Sequence, residues 1–142
     1  MNVKKKDAYN VAIVGATGAV GKTFLDILSE RKFPIDNLRL LASSRSVGKK
    51  MEYNGKEYAV EELTHNSFEN IDIALFSAGA SRSKEFADSA VKAGVIVVDN
   101  SSAFRMDKDV PLVIPEVNPE DVKTNKGIIA NPNCTTIICL FL

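Results

Sequence analysis

Short apolar runs alternate with amphipathic segments along the first hundred residues of the chain. The apolar runs are rich in β-branched residues and predict strands over 9–14, 38–42, 71–76 and 95–98. The spacing of apolar residues predicts helices over 19–31 and 81–92, and it assigns Val20, Phe24, Ile27 and Leu28 to the buried face of the first. Strands separated by amphipathic helices form parallel sheets that are covered on both faces. The pattern therefore predicts one α/β domain over residues 1–142.

A hairpin interrupts this alternation. In residues 51–60 the dipeptide Asn54-Gly55 separates two short strand-like runs, which is typical of a type I′ turn. Two later segments, 112–114 and 127–130, are further strand candidates, and the polar stretch after Pro119 lies between them.

The charge balance excludes some classes of partner. The chain has 18 Lys plus Arg against 18 Asp plus Glu, so its formal net charge is zero. Proteins that coat nucleic acids or bind anionic membranes need excess positive charge, and no apolar run approaches the roughly 18 residues of a membrane span. We therefore expect neither nucleic acid nor membrane as a partner. Because no apolar run of a signal peptide follows the basic start, we expect a cytoplasmic location.

A glycine-rich loop joins the first predicted strand to the first predicted helix. Small residues let the backbone approach a pyrophosphate, whose charge is stabilised by N–H groups at the start of the helix. The residues predicted to bind a dinucleotide here are Gly15, Thr17, Gly18, Ala19, Val20 and Gly21. The alternative is a tight turn that needs glycine and binds nothing. With the strand–helix alternation, the loop predicts a Rossmann-like, doubly wound, mostly parallel sheet.

The segment after the second predicted strand indicates which dinucleotide is bound. NAD sites usually carry Asp or Glu there, which binds the ribose 2′-hydroxyl. This segment consists instead of Ser43, Ser44, Arg45 and Ser46. Hydroxyls and a guanidinium suit an additional phosphate, so the sequence favours NADP over NAD, with a solvated polar loop as the alternative. Ser77 and Gly79 follow the strand over 71–76 and would let a cofactor lie close, although a turn and a helix cap explain them equally well.

The two cysteines differ in their surroundings. Two cysteines are too few for a disulfide framework or a four-cysteine zinc site, and we predict no metal site. Cys134 follows Asn133 at the predicted start of a helix, where the helix dipole and free N–H groups stabilise a thiolate and an oxyanion. We therefore predict that Cys134 is a nucleophile. Cys139 lies inside an apolar run and is predicted to be a buried core residue.

A polar segment after the strand over 95–98 supplies an arginine at the same edge of the sheet. Arg105 could bind a phosphate or a carboxylate, and Asn100 precedes it in the same loop. The alternative is a surface arginine paired with Asp107, and the spacing does not choose between the two interpretations.

Six segments in this order closely resemble the N-terminal part of bacterial aspartate-β-semialdehyde dehydrogenases. They are the glycine loop, Ala-Ser-Ser-Arg-Ser over 42–46, Ala-Leu-Phe-Ser-Ala-Gly over 74–79, Val-Asp-Asn-Ser-Ser-Ala-Phe-Arg over 98–105, Ile-Pro-Glu-Val-Asn over 114–118 and Asn-Pro-Asn-Cys-Thr-Thr over 131–136. The resemblance implies reductive dephosphorylation of β-aspartyl phosphate by NADPH, in the pathway to lysine, threonine and methionine. It further implies that Cys134 is the acyl-thioester nucleophile, that Asn133 lies near the nicotinamide and that Arg105 holds the phosphate of the substrate. By the same resemblance, residues 17–20 contact the pyrophosphate, Arg45 and Ser46 contact the 2′-phosphate, and the complete protein is a homo-oligomer.

The resemblance also implies that further groups are needed for turnover. In that family the proton-transferring histidine and a substrate-binding arginine come later than position 142, and the single histidine here, His65, lies outside every motif. We therefore expect this chain alone to have little or no activity, and we expect its apolar end over 137–142 to self-associate or fray. The alternatives are an enzyme similar to N-acetyl-γ-glutamyl-phosphate reductase and a non-catalytic NADP-binding module.

Overall fold

The fold is that of a computed structural model, which describes residues 5–142 of the chain. Its elements, in chain order, are β1 (Tyr9–Val14), α1 (Ala19–Glu30), β2 (Ile35–Ala42), β3 (Lys50–Tyr53), β4 (Lys56–Glu62), β5 (Ile73–Phe76), α2 (Ala80–Lys92), β6 (Ile96–Asp99), β7 (Ile128–Ala130) and α3 (Cys134–Leu140). Two short 3₁₀ helices lie at Ser44–Ser46 and Pro119–Thr124.

The strands form a single seven-stranded sheet in the order β3-β4-β2-β1-β5-β6-β7. Every neighbouring pair is parallel except β3 and β4, which form the predicted antiparallel hairpin. Because the chain winds outward from β1 in both directions, the carboxyl ends of β2, β1 and β5 meet at one edge of the sheet. The predicted Rossmann-like, doubly wound fold is confirmed.

The two long helices cover opposite faces of the sheet. Alternate residues of a strand point to opposite faces, and β1 divides accordingly. Val11 and Ile13 belong to a buried cluster that includes Leu25 of α1, whereas Ala12 and Val14 belong to a second cluster that includes residues of α2. These two clusters form apolar layers on the two faces of the sheet, and they hold the carboxyl ends of the central strands in a fixed relation to the starts of both helices.

The hairpin turn has the geometry that its sequence predicts. Asn54 and Gly55 both have positive φ angles, of 51° and 76°, as a type I′ turn requires. The strand β4 then continues past the hairpin and pairs with β2 over residues 60–62. The hairpin thereby extends the main sheet.

Three details of the predicted elements are wrong. In α1 the predicted Phe24 and Leu28 do pack against the core and are half-buried, but Val20 and Ile27 are about 40% exposed. The buried residues are Gly21 and Leu25, because the helix face that packs on the sheet is centred on Leu25. The segment 112–114 makes only an isolated bridge, Leu112 to Ala130, because the chain turns away at once. Cys139 is exposed, since α3 has no buried residue and so offers no core to enter.

Candidate functional site

A cavity of about 330 Å³ opens at the carboxyl ends of four parallel strands. Its lining comes from the residues that end or directly follow β1, β2, β4 and β5, together with the first turn of α2. The lining residues are Gly15, Thr17, Gly18, Ala42, Ser43, Arg45, Leu63, Ser77, Ala78 and Arg82. Ligands of doubly wound sheets bind at this edge, so the cavity is the candidate binding site.

The glycine loop passes so close to the neighbouring strand that its first glycine cannot be replaced. Gly15 has a φ angle of 87°, and a Cβ atom there would lie 2.3 Å from the carbonyl oxygen of Ser77. Gly21 is confined in the same way, because its Cβ would lie 2.3 Å from the carbonyl oxygen of Gly15. Gly15 and Gly21 are therefore required for close packing of the loop. Gly18 also lines the cavity, but its φ angle is ordinary and its surroundings leave more room.

The start of α1 presents backbone N–H groups that no side chain caps. The N-cap residue is Gly18, and the first turn contains no acidic residue. The first N–H groups of a helix have no acceptor within the helix and carry the positive end of its dipole. An anionic group such as a pyrophosphate satisfies both requirements. The loop thus fits the phosphates of a dinucleotide.

Two arginines and no acidic residue line the cavity. Arg45 is exposed and Arg82 is half-buried. Within residues 5–142, neither guanidinium forms a hydrogen bond or an ion pair with the protein. The cavity therefore has two positive charges that no protein group neutralises, which fits a ligand that carries a phosphate in addition to its pyrophosphate.

The structure brings half of the predicted cofactor-binding residues to this cavity. Those that line it are Gly15, Thr17, Gly18, Ser43, Arg45 and Ser77. Those that do not line it are Ala19, Val20, Gly21, Ser44, Ser46 and Gly79. Of these, Ser46 is buried and its Oγ accepts a 3.4 Å hydrogen bond from Thr17 Oγ1, so it joins the serine segment to the glycine loop.

Four lining residues are not among the predicted cofactor-binding residues: Ala42, Leu63, Ala78 and Arg82. Three of them are apolar and give the cavity a hydrophobic part. Arg82 lies on the helical segment 81–92, whose pattern gave no reason to separate this arginine from an ordinary solvated helix face. Its position three residues after Gly79, in the first turn of a helix that starts at the ligand edge, was the available signal.

A second group of predicted residues lies where β6 and β7 end. Asp99 is fully buried, and its carboxyl group accepts hydrogen bonds from Ser83 Oγ (2.8 Å), Ser101 Oγ (2.7 Å) and the Ser101 N–H (3.0 Å). Its backbone carbonyl accepts a 2.9 Å hydrogen bond from the Asn131 N–H. Asp99 thus connects α2 with the segment that leads to Cys134.

Arg105 makes two hydrogen bonds to backbone carbonyls in this region. Its Nε donates to the Asn131 carbonyl (2.8 Å) and its Nη2 donates to the Asn100 carbonyl (3.0 Å). The Oδ1 of Asp107 accepts from the Asp109 N–H instead, so the predicted alternative of an Arg105–Asp107 pair is wrong. Because a guanidinium has five N–H donors, Arg105 retains donors for an anion while it fixes the loop.

Cys134 is the first residue of α3 and is exposed. The side chain of Asn133 caps this helix by accepting a 2.9 Å hydrogen bond from the Thr135 N–H, and the same oxygen lies 3.8 Å from the Cys134 Sγ. Asn133 therefore orients the first turn and contacts the thiol. Neither residue lines the 330 Å³ cavity, so the thiol is at the same sheet edge but outside that candidate binding site.

His65 does not contact the Cys134 segment. Its Nδ1 lies 2.7 Å from Ser89 Oγ, and its ring lies 4.8 Å from that of Phe86, so it packs against α2. Residues 5–142 contain no cluster of three or more His, Cys, Asp or Glu side chains that could hold a metal ion. In this part of the chain, every helix is too short or too polar to span a bilayer.

Comparisons with known proteins show the family to which the chain is related. The profile of a family described as semialdehyde dehydrogenase, NAD binding domain, matches residues 10–125. An aspartate-semialdehyde dehydrogenase of Aquifex aeolicus is 67% identical over 132 residues, which cover 91% of this chain and 39% of that protein. Aspartate semialdehyde dehydrogenase II of Vibrio cholerae, solved with ASA, superposes with a TM-score of 0.90 at 54% identity, covering 94% of this chain and 44% of that one.

A more distant structure carries a cofactor. The aspartate semialdehyde dehydrogenase of Candida albicans, solved with NADP, superposes with a TM-score of 0.75 at 31% identity and covers 91% of this chain and 44% of that one. The chain therefore spans less than half the length of each of these three relatives.

Proposed function

Since the chain belongs to the semialdehyde dehydrogenase family and matches its NAD-binding domain over residues 10–125, we propose that it is the cofactor-binding, cysteine-bearing part of an NADP-dependent aspartate-semialdehyde dehydrogenase. The observation that carries the proposal is the cavity at the ends of β1, β2, β4 and β5, which joins an uncapped helix start to two arginines without an acidic residue. The 67% identity with the Aquifex aeolicus enzyme supports the choice of substrate.

The cavity would hold NADP by its phosphates. The uncapped N–H groups after Gly18 suit the pyrophosphate, and Arg45 beside Ser43 suits the 2′-phosphate. The segment after β2 has no acidic residue to accept from a ribose 2′-hydroxyl. These features favour NADP over NAD. Bound NADPH would supply a hydride.

Cys134 would supply the nucleophile. Its thiolate would attack the carbonyl carbon of β-aspartyl phosphate, the carbon–oxygen bond to phosphate would break, and inorganic phosphate would leave with the bonding electron pair. The acyl group would remain on Cys134 as a thioester, and hydride addition at its carbonyl carbon would release aspartate semialdehyde and regenerate the thiolate. The N–H groups at the start of α3 suit the oxyanion that forms in each step.

The neighbours of Cys134 would have distinct roles. Arg105, held by the carbonyls of Asn100 and Asn131, keeps unused N–H donors for the substrate phosphate. Asn133 would fix the direction of the thiol through its cap of α3. We expect the complete protein to act in the cytoplasm, on a small-molecule substrate and as a homo-oligomer.

Calorimetric titration of the chain with NADP and with NAD tests the cofactor assignment. We expect NADP to bind at least about tenfold more tightly, since charge-assisted hydrogen bonds to the additional phosphate contribute about 1.5–3 kcal/mol each. Arg45→Gln should remove much of this preference. Equal affinity for the two dinucleotides, or no binding of either, would contradict the proposal.

The nucleophile is tested by comparing two exposed thiols. We expect iodoacetamide to modify Cys134 faster than Cys139, with Cys134→Ala and Cys139→Ala as matched variants that assign the sites by mass spectrometry.

NADPH formation from aspartate semialdehyde and phosphate tests the reaction itself. We expect little or no turnover by the 142-residue chain, because its one histidine packs against α2, and we expect any measurable turnover to be lost in Cys134→Ala. A non-catalytic module would leave Cys134 no more reactive than Cys139.

A further inference from the structure

Arg82 is the charged lining residue that no sequence motif explains. It lies in the first turn of α2, one residue before the buried Ser83, and it lines the same cavity as Arg45. The following inference rests on the proposed binding of NADP at this cavity.

The guanidinium of Arg82 differs from those of two other half-buried arginines, which donate hydrogen bonds to backbone carbonyls. Arg39 donates to the Ser67 carbonyl at 2.7 Å, and Arg105 donates to two carbonyls. Within residues 5–142, Arg82 has neither a hydrogen bond nor an ion pair, although its side chain is half-buried against the cavity. Partial burial of a charge without a partner is costly, and an anionic ligand in the cavity would remove that cost.

The two arginines of the cavity come from opposite sides of β1. Arg45 follows β2, whereas Arg82 follows β5, and β1 lies between these strands in the sheet. A phosphate monoester carries a charge of about −1.5 to −2 near pH 7. Two planar guanidinium groups can therefore both donate to it, whereas the uncapped start of α1 is suited to the pyrophosphate.

We propose that Arg82 is the second cation that binds the 2′-phosphate of NADP and that it contributes to selection against NAD. Its contribution is electrostatic and directed at the phosphomonoester. The competing interpretation is that Arg82 stacks on the adenine ring beside the apolar side chain of Leu63. Stacking would stabilise NADP and NAD equally, so the two interpretations differ in a measurable quantity.

The experiment measures dissociation constants of NADP, NAD and 2′-AMP for the wild-type chain, Arg82→Gln and Lys84→Gln. Lys84 is an exposed residue of the same helix that does not line the cavity, so Lys84→Gln matches the change in net charge. We expect Arg82→Gln to weaken NADP and 2′-AMP about 10- to 100-fold and to change NAD less than about twofold. The loss should shrink at high salt, because screening weakens the interaction of accessible charges, and Lys84→Gln should bind like wild type.

Several outcomes would overturn the inference. Equal losses for NADP and NAD would assign Arg82 to the adenine ring, and unchanged NADP binding would remove Arg82 from the site. If the wild-type chain binds 2′-AMP but not NADP, and Arg82→Gln weakens 2′-AMP binding, the proposed function is contradicted while the phosphomonoester site at Arg82 is supported. Binding of neither ligand would overturn both.

Discussion

The hydroxyl of Ser83 donates a 2.8 Å hydrogen bond to Oδ1 of Asp99, and both side chains are fully buried. This bond joins the first turn of α2 to the end of β6. Through the Asp99 backbone carbonyl, which accepts from the Asn131 N–H, it also joins the arginine-bearing side of the cavity to the segment before Cys134. Asp99 thus anchors both regions, the first turn of α2 through its buried carboxyl group and the segment before Cys134 through its backbone carbonyl.

Replacing Asp99 with Asn should destabilise the fold. The carboxyl group accepts three hydrogen bonds with two oxygens, whereas the amide of Asn has a single acceptor oxygen. We expect the free energy of unfolding to fall by about 1–3 kcal/mol, since a buried donor would lose its acceptor. Urea denaturation followed by circular dichroism measures this change. The control is Asp88→Asn on the exposed face of α2, which should stay within about 0.5 kcal/mol of wild type; equal effects of the two substitutions would contradict the role of Asp99.

Replacing Arg105 with Lys should loosen the segment before Cys134. A single ammonium does not reproduce the fork with which Arg105 reaches the Asn131 and Asn100 carbonyls. We expect hydrogen exchange of the backbone amides over 131–136 to accelerate about tenfold, which corresponds to the loss of about one net hydrogen bond. Exchange in β1 should not change.

The matched variant for Arg105 is Arg31→Lys, because Arg31 is an exposed residue at the end of α1. It should leave exchange over 131–136 as in wild type. An Arg105→Lys protein with unaltered protection in this segment would show that the two carbonyls do not depend on the guanidinium.

The fold was predictable because its signals are local. The alternation of β-branched runs and amphipathic helices predicted a mostly parallel sheet, and Asn54-Gly55 predicted the hairpin. The site was only half predictable, since a motif names residues near in sequence while a cavity collects residues from several strands. Arg82 lines the same cavity as Arg45 because β5 and β2 both lie beside β1, and this pairing of strands is not encoded in any local pattern. Cys139 was misassigned because apolar neighbours in sequence do not supply a packing partner in space.

The stability of the fold should depend on pH through Asp72. Burial raises the pKa of Asp72. The Lys6 ammonium at 2.6 Å and the Asn10 N–H at 2.9 Å lower this pKa by more than burial raises it, so the pKa lies below its ordinary value of 3.8. A lowered pKa stabilises the native state above the ordinary value, and this stabilisation is lost as the pH falls through the folded-state pKa. We expect Asp72→Asn to cost about 1 kcal/mol at pH 7, a value limited by the solvent exposure of Lys6.

The pH series supplies the test of Asp72. The difference in unfolding free energy between wild type and Asp72→Asn should be constant from pH 7 down to about pH 5 and should shrink below pH 4. Asp26→Asn, at an exposed position of α1, should show no such trend. A wild-type–variant difference that does not vary between pH 7 and pH 2 would mean that Asp72 acts through packing alone.

Gly21→Ala should destabilise the protein although alanine is the better helix former. In a helix interior this substitution usually gains about 1 kcal/mol, and the φ angle of Gly21 is not in the left-handed region. Here the added Cβ would lie 2.3 Å from the Gly15 carbonyl oxygen and 2.7 Å from that of Ala16, which are backbone atoms that cannot rotate away. The helix must therefore move away from β1, and we expect the free energy of unfolding to fall by about 2–4 kcal/mol.

The matched variant is Gly18→Ala. Its Cβ would lie 3.3 Å from the Gly15 carbonyl oxygen, and the φ angle of Gly18 is an ordinary −75°, so this substitution should cost less than about 1 kcal/mol. Because Gly18 lines the cavity whereas Gly21 only packs beneath the loop, Gly18→Ala should weaken NADP binding at nearly unchanged stability. Thermal melts of both variants, with and without NADP, separate the two effects, and a Gly21→Ala protein as stable as wild type would contradict the close packing of α1 on the glycine loop.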